Sequence, residues 1–119
     1  MKRIFVLGSI NMDMVMYANQ SPQEGETICE TNFFLNAGGK GANQAVAVQK
    51  NGGKLKYCAC VGDDFFGVQL LKSIKLYGVS TEDVHVISGV TSGLAQITVI
   101  GGNNSIILFK GANGCLNKN

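Results

Sequence analysis

The segment Gly38-Gly39-Lys40-Gly41-Ala42-Asn43-Gln44 constrains this chain most, because three glycines and a lysine lead straight into an alanine- and valine-rich helix. Glycine permits backbone conformations and close approaches that other residues do not. Ala42, Ala45, Val46 and Gln49 recur at helical spacing, with Ala47 and Val48 widening the apolar face. Small residues on that face let a helix lie close against a sheet. Asn51-Gly52-Gly53 then supplies the stop.

The flanking segments supply the sheet. Ile4-Phe5-Val6-Leu7 is a short apolar run ended by Gly8-Ser9, the pattern of a strand buried on both faces of a parallel sheet. Leu55 to Val61 predicts a second strand, and Val84-His85-Val86-Ile87 a third. Between them, Phe66, Leu70, Ile74 and Tyr77 recur at helical intervals, so a helix is predicted over about 65–77. Asp63-Asp64 offers its carboxylate cap, and Gly78 fits the position just past its end. The result is a βαβαβ core, about residues 1–12 and 36–90, interrupted after its first strand.

The remaining segments read as a small separate sheet. Met12 to Ala18 and Thr27 to Leu35 are β-prone around a turn at Gln20–Gly25. Leu94–Ile100 and Ser105–Phe109 flank Gly101-Gly102-Asn103-Asn104, a hairpin signal. These strands, about 13–35 and 93–110, leave the core at two points and are expected to form one lid on one edge. A lid face made of Met14, Met16, Ile28, Phe33, Ile97 and Val99 would be a sticky patch in water, so it is expected to meet a ligand cleft or a neighbouring subunit.

Composition excludes several classes. The chain has 119 residues, 16 glycines, one proline and no tryptophan, with 45% hydrophobic and 15% charged residues. That suits one folded unit with a modest core. The formal charge is +2 and Arg3 is the single arginine, so nucleic acid is not an expected partner. No long apolar run follows the start, so neither a signal peptide nor a membrane span is expected, and the cytoplasm is the default location. Cys29, Cys58, Cys60 and Cys115 do not fall in a metal-binding pattern. They are expected as free thiols, with Cys58 and Cys60 on opposite faces of a strand. His85 and the Met12-Met14-Met16 alternation are expected to be structural.

The glycine turn fails as a nucleotide loop: Phe34 stands where a P-loop needs glycine, and Gly41 where it needs Ser or Thr. Gly8-Ser9-Ile10-Asn11 lacks the second and third glycines of a dinucleotide fingerprint. What remains suits a polyol. Gly38, Gly39 and Gly41 would let backbone N–H groups approach a ligand, and the helix start favours oxygen-rich partners. Lys40 and Asn43 share a side of the helix. Asn11 and Asp13 follow the first strand, where ligands of open α/β sheets collect. The carboxylate would accept from hydroxyls, while the amides donate and accept. Motif physics alone leaves a second reading open, in which Asp13 and Asn11 cap a turn and Lys40 is solvated.

Several of these pieces, in order, resemble the ribokinase-like (PfkB) carbohydrate kinases. They are Val6-Leu7-Gly8-Ser9-Ile10-Asn11-Met12-Asp13, Pro22 with Gly25-Glu26-Thr27, and the signature Gly38 to Ala47. Val61-Gly62-Asp63-Asp64-Phe65-Phe66-Gly67 and Gly111-Ala112-Asn113 complete the match. The resemblance implies the N-terminal part of a three-layer α/β/α domain with a small β-sheet lid. It implies ATP-dependent phosphorylation of D-ribose to D-ribose 5-phosphate by a longer protein, with a kinase for a related sugar or nucleoside, or a non-catalytic sugar-binding or dimerising module, as alternatives. Substrate binding is implied for Asn11, Asp13, Gly38, Gly39, Lys40, Asn43 and Ala95. The catalytic base, the sites for ATP and Mg2+, and the loops for a monovalent cation such as K+ are implied in a C-terminal part that these residues do not include. A homodimer through the lid is also implied.

Overall fold

The structure is a computed structural model describing residues 3–29 and 32–116. Its elements are β1 (Arg3–Leu7), β2 (Asn11–Ala18), β3 (Phe33–Gly38), α1 (Lys40–Lys50), β4 (Lys54–Gly62), α2 (Phe65–Leu76), β5 (Val84–Ile87), β6 (Gly93–Ile100) and β7 (Asn103–Phe109). A 3-10 turn, Gly111–Cys115, closes the described chain. The strands form two sheets, β1-β4-β5 and β3-β2-β6-β7.

The first sheet is parallel throughout. Two right-handed crossovers that advance in one direction put both helices on the same face. There Ala42 and Ala45 of α1 and Leu70 and Ile74 of α2 pack on Val6, Tyr57, Ala59 and Val61. Alanines on α1 bring its backbone close to the strands, as the small-residue pattern predicts. Both helices end in the same way. Gly52 N and Gly53 N donate to Gln49 O and Val48 O, and Gly78 N and Val79 N donate to Lys75 O and Ile74 O. Gly52 and Gly78 supply the positive φ that this cap requires.

Two expectations fail here. Only Val6 of the Ile4–Leu7 run is buried, while Phe5 and Leu7 are 67% and 62% exposed. The reason is the shared helix face: among the described residues, the opposite face of the sheet takes its main cover from the 3-10 turn, which packs on β4. Cys58 and Cys60 do not face opposite sides either. Strand side chains alternate with a period of two, so residues two apart share a face. Both thiols are free, as are those of Cys29 and Cys115.

The second sheet is mixed. β2 runs parallel to β6, while β3 and β7 pair antiparallel at the outside. The extended piece expected over Thr27–Leu35 sits further along the chain, at Phe33–Gly38; its Glu30 and Thr31 lie outside the described residues. Pairing with Asn11–Met16 recruits Asn36, Ala37 and Gly38 into the strand despite their weak strand preference. The register also divides the expected lid face. Met14, Met16 and Phe33 share one side, whereas Ile97 and Val99 stand level with Val15 and Tyr17 on the other. Of the three alternating methionines only Met12 is buried in the core. The β6–β7 turn is two residues, Gly101 and Gly102, both at positive φ, which matches the twist of a tight hairpin. Among the described residues, no helix is long and apolar enough to cross a membrane.

Candidate functional site

The start of the second sheet and the start of α1 come together beyond the carboxyl end of β1. Pairing places Asn11 between Gly38 of β3 and Gly93 of β6, so the amide has a glycine on each side. Two residues on, and on the same face, Asp13 stands between Asn36 and Ala95. The sheet register thus gathers four of the predicted residues, Asn11, Asp13, Gly38 and Ala95, on one surface. Ala95 is buried and presents only a methyl group beside the carboxylate.

Asp13 is half-buried. Burial pushes its carboxyl above the ordinary value, and a hydrogen bond with Asn36 opposes this in part. A Cβ at Gly38 would run into the Asp13 carboxylate, so this glycine makes room for the acid rather than for a turn.

The rest of the glycine turn is held by backbone packing. Gly39 has φ +101 and precedes the helix without any side-chain cap. A Cβ there would lie 2.7 Å from Ser9 O, and one on Gly41 would lie 2.6 Å from the carbonyl carbon of Gly8. The Ser9 carbonyl accepts from Ala42 N at 3.0 Å, standing in for a cap. It also accepts from the Tyr57 hydroxyl at 2.9 Å. Burial pushes the Tyr57 phenol well above its ordinary value, which keeps it a donor. Strand β4 therefore props the β1–β2 turn against the helix start.

Lys40 and Asn43 are exposed on the first turn of α1. Asn43 and Asn36 line one cavity of about 250 Å³, together with Ile10, Ala42, Ile74 of α2 and Tyr77 just past its end. Asn43 thus shares a cleft with the partner of Asp13. Among the described residues, no side chain bonds the Lys40 amine.

Two groups escaped the sequence reasoning. Asn36 carried no signal beyond being polar within an apolar stretch. Asn113 belonged to a motif without an assigned role, yet its side chain reaches Ile10 and Asn11. Of the Asp63-Asp64 pair, Asp63 accepts from Gly89 N, and it is Asp64 that acts as the cap, its Oδ1 accepting from Gly67 N at 2.8 Å. It also binds Ser92 N and Oγ, and Ser92 Oγ accepts from Gly62 N at 2.8 Å. This ties the start of α2 to the segment that enters β6.

A parallel three-stranded layer under two helices, with a four-stranded sheet rising beside the strand ends, defines a segment of an α/β sugar-kinase fold. The description "pfkB family carbohydrate kinase" matches residues 1–119, and the chain belongs to that family. It corresponds to the N-terminal portion of the ribokinase three-layer α/β/α fold. Ribokinase of Bacillus subtilis (strain 168) is 42% identical over 113 residues, covering 95% of this chain and 39% of that protein. Deoxyribokinase of Salmonella typhi is 41% identical over 111 residues, covering 92% of this chain and 36% of that protein. The structure of Arabidopsis thaliana ribokinase complexed with ribose and ATP superimposes with a TM-score of 0.85 at 33% identity, over 92% of this chain and 36% of that one. The chain spans well under half the length of the relatives it matches.

Proposed function

We propose that the protein carrying this chain phosphorylates D-ribose to D-ribose 5-phosphate with ATP, and that this segment supplies the sugar-binding surface and its lid. The observation that carries the reading is the row of Asp13 and Asn11 on one sheet face, flanked by Gly38 and Ala95 beside the start of α1. A carboxylate next to an amide, walled by glycine and a methyl group, is a surface that hydroxyls can approach closely.

In this reading Asp13 accepts from sugar hydroxyls and Asn11 donates to a sugar oxygen. Gly39, Lys40 and Asn43 meet the remaining oxygens, with Gly38 keeping the Asp13 carboxylate in place. About residues 1–12 and 36–90 form the core part and the strands within about 13–35 and 93–110 the lid, with the lid sheet itself reaching back to Asn11 and on to Gly38. Closing that lid excludes water, so the phosphoryl group goes to the sugar. Exposed Phe33, Ile106, Ile107 and Phe109 on the second sheet support a second copy of the protein as the lid's cover.

The residues present do not fit ATP or its cations. The glycine turn is packed on Gly8 and Ser9 instead of opening a phosphate cradle. Among the described residues, no three His, Cys, Asp or Glu side chains come together to hold a metal. ATP with Mg2+, a K+ activator and the base for the attacking hydroxyl are therefore assigned to the longer protein alone, and no step is routed through them.

The deoxyribokinase likeness favours a second reading with 2-deoxy-D-ribose as substrate. The test compares kcat/KM of the full gene product for D-ribose, 2-deoxy-D-ribose, D-fructose and adenosine. The highest value is expected for D-ribose. A higher value for another substrate overturns the ribose assignment. Sugar binding by calorimetry without ATP turnover would leave a non-catalytic sugar-binding module.

A further inference from the structure

Asn113 sits 102 residues from Asn11 in sequence, yet the two amides meet at 2.6 Å. The path is built by backbone. Ala112 N donates to Thr91 O at 2.7 Å, which clips the 3-10 turn onto the segment entering β6. Ala112 itself is fully buried. Across from Asn11, a Cβ at Gly93 would collide with Asn113 Nδ2, so the amide pair fills the space that a side chain would need.

The hydrogen bonds fix which end of each amide faces which way. Ile10 N is a donor only, and it donates to Asn113 Oδ1 at 2.9 Å. Ile10 O is an acceptor only, and it accepts from Asn113 Nδ2 at 3.2 Å. Turning the Asn113 amide over would break both bonds, which assigns the two atoms on chemistry rather than on their shape. Nδ2 is therefore the atom facing Asn11, and the Asn11 atom that accepts from it is Oδ1. Among the described residues, nothing accepts from Asn11 Nδ2. That NH2 group belongs to a residue only 9% exposed, on the face shared with Asp13.

We propose that Asn113 is a positioning residue that sets the amide orientation of Asn11, and so gives the sugar surface a fixed polarity of donor at Asn11 and acceptor at Asp13. This rests on the sugar-binding reading above and specifies it. A ligand oxygen over Asn11 must accept, and the hydroxyl over Asp13 must donate. Two neighbouring hydroxyls of one polyol satisfy both at once. A ligand presenting only acceptors, such as a carboxylate or phosphate, meets repulsion at Asp13.

The decisive variant is Asn113→Asp in the full gene product. It keeps the acceptor for Ile10 N but replaces the donor facing Asn11 with an oxygen. Asn11 can then bond it only by turning over, which presents Oδ1 to the sugar beside Asp13. Asn11→Asp presents an oxygen there by a different route. Both variants are expected to lose sugar affinity by roughly 10- to 100-fold. KM for the sugar rises in parallel, while ATP affinity and kcat change little. An Asn113→Asp protein with a lowered melting temperature but wild-type sugar affinity overturns the proposal and leaves Asn113 a structural clip. Asp13→Ala is the control: if it also leaves sugar affinity unchanged, the sugar-site reading has failed instead.

Side-chain amide exchange by NMR on the wild-type protein needs no variant. Without sugar, the Asn113 NH2 is expected to be protected and the Asn11 NH2 to exchange rapidly, becoming protected when D-ribose is added. An Asn11 NH2 already protected without sugar, or unaffected by saturating sugar when Asp13→Ala shows the site to be real, overturns the proposal.

Discussion

Ser92 holds Asp64 by two hydrogen bonds at once, Oγ to Oδ1 at 2.7 Å and backbone N to Oδ2 at 2.8 Å. The carboxylate also caps α2, so one acid fastens a helix of the first layer to the segment that leads into the second sheet. Burial alone would raise its pKa, but the hydrogen bonds from Ser92 and Gly67 together hold it below the ordinary 3.8. A carboxylate with a depressed folded-state pKa contributes stability that is present above the unfolded value and lost as pH falls through the folded one.

Asp64→Asn is therefore expected to destabilise the full gene product by about 1–3 kcal/mol near neutral pH. The gap between variant and wild type should close below pH 3.8, as the wild-type acid becomes protonated. Urea unfolding at a series of pH values measures this. A gap that stays constant through the acid range would mean that the charge of Asp64 contributes nothing. Ser92→Ala strands Gly62 N without its acceptor and is expected to cost a similar amount.

Asp13 behaves in the opposite sense. Its folded-state pKa is raised by burial, so between the ordinary 3.8 and that raised value the folded state binds more protons than the unfolded one. Stability from this group then increases as pH falls through that window. Asp13→Asn is expected to leave the sugar-free protein as stable as wild type or slightly more stable, while weakening D-ribose binding by about 2–3 kcal/mol. Wild-type affinity should fall on acidification and the variant's should not. Calorimetric titrations at several pH values check this, and a variant with unchanged affinity removes Asp13 from the site.

The contrast between these two acids shows what the sequence carries. Asp64 was legible because a helix cap is local: the acid, the spacing of Phe66, Leu70 and Ile74, and Gly78 all lie within one short stretch. The individual strands of the core were legible for the same reason, each being a short local run. Asp13 was legible as a candidate, but its neighbours Asn36 and Ala95 come from pairings whose register no local pattern sets. The place of β3 was missed because Asn36, Ala37 and Gly38 join a strand only through their partners. Asn113 was least legible, since its role depends on which end of an amide faces another across most of the chain. The apolar run Ile4–Leu7 showed a strand seeking cover on two sides, but not that both helices would take the same side.

The two kinds of glycine in the signature separate experimentally. Gly41→Ala puts a methyl group against the Gly8 backbone, which has no room to yield, and should lower the melting temperature by several degrees. Gly38→Ala meets the Asp13 carboxylate instead, which can swing away. It is expected to cost less stability and more sugar affinity. Gly114→Ala, with open space around it, should change neither. Thermal unfolding paired with sugar titration distinguishes them, and a Gly38→Ala protein with full affinity would show that the carboxylate need not stay where it is.

The bare face of the first sheet gives the last prediction. Phe5 and Leu7 project from β1 on the side away from both helices, and among the described residues β1 and β5 each leave one edge unpaired. Unpaired parallel edges beside exposed apolar side chains are templates for association. The 119-residue chain produced alone is therefore expected to self-associate at micromolar concentration and to unfold without a sharp transition. Phe5→Ser with Leu7→Thr should reduce the association by removing the apolar face while keeping the strand. Sedimentation velocity over a concentration series measures it. A monomeric wild-type chain with cooperative unfolding would show that the helix-covered face, with Val6, Tyr57 and Leu70 at its centre, suffices to hold the fold.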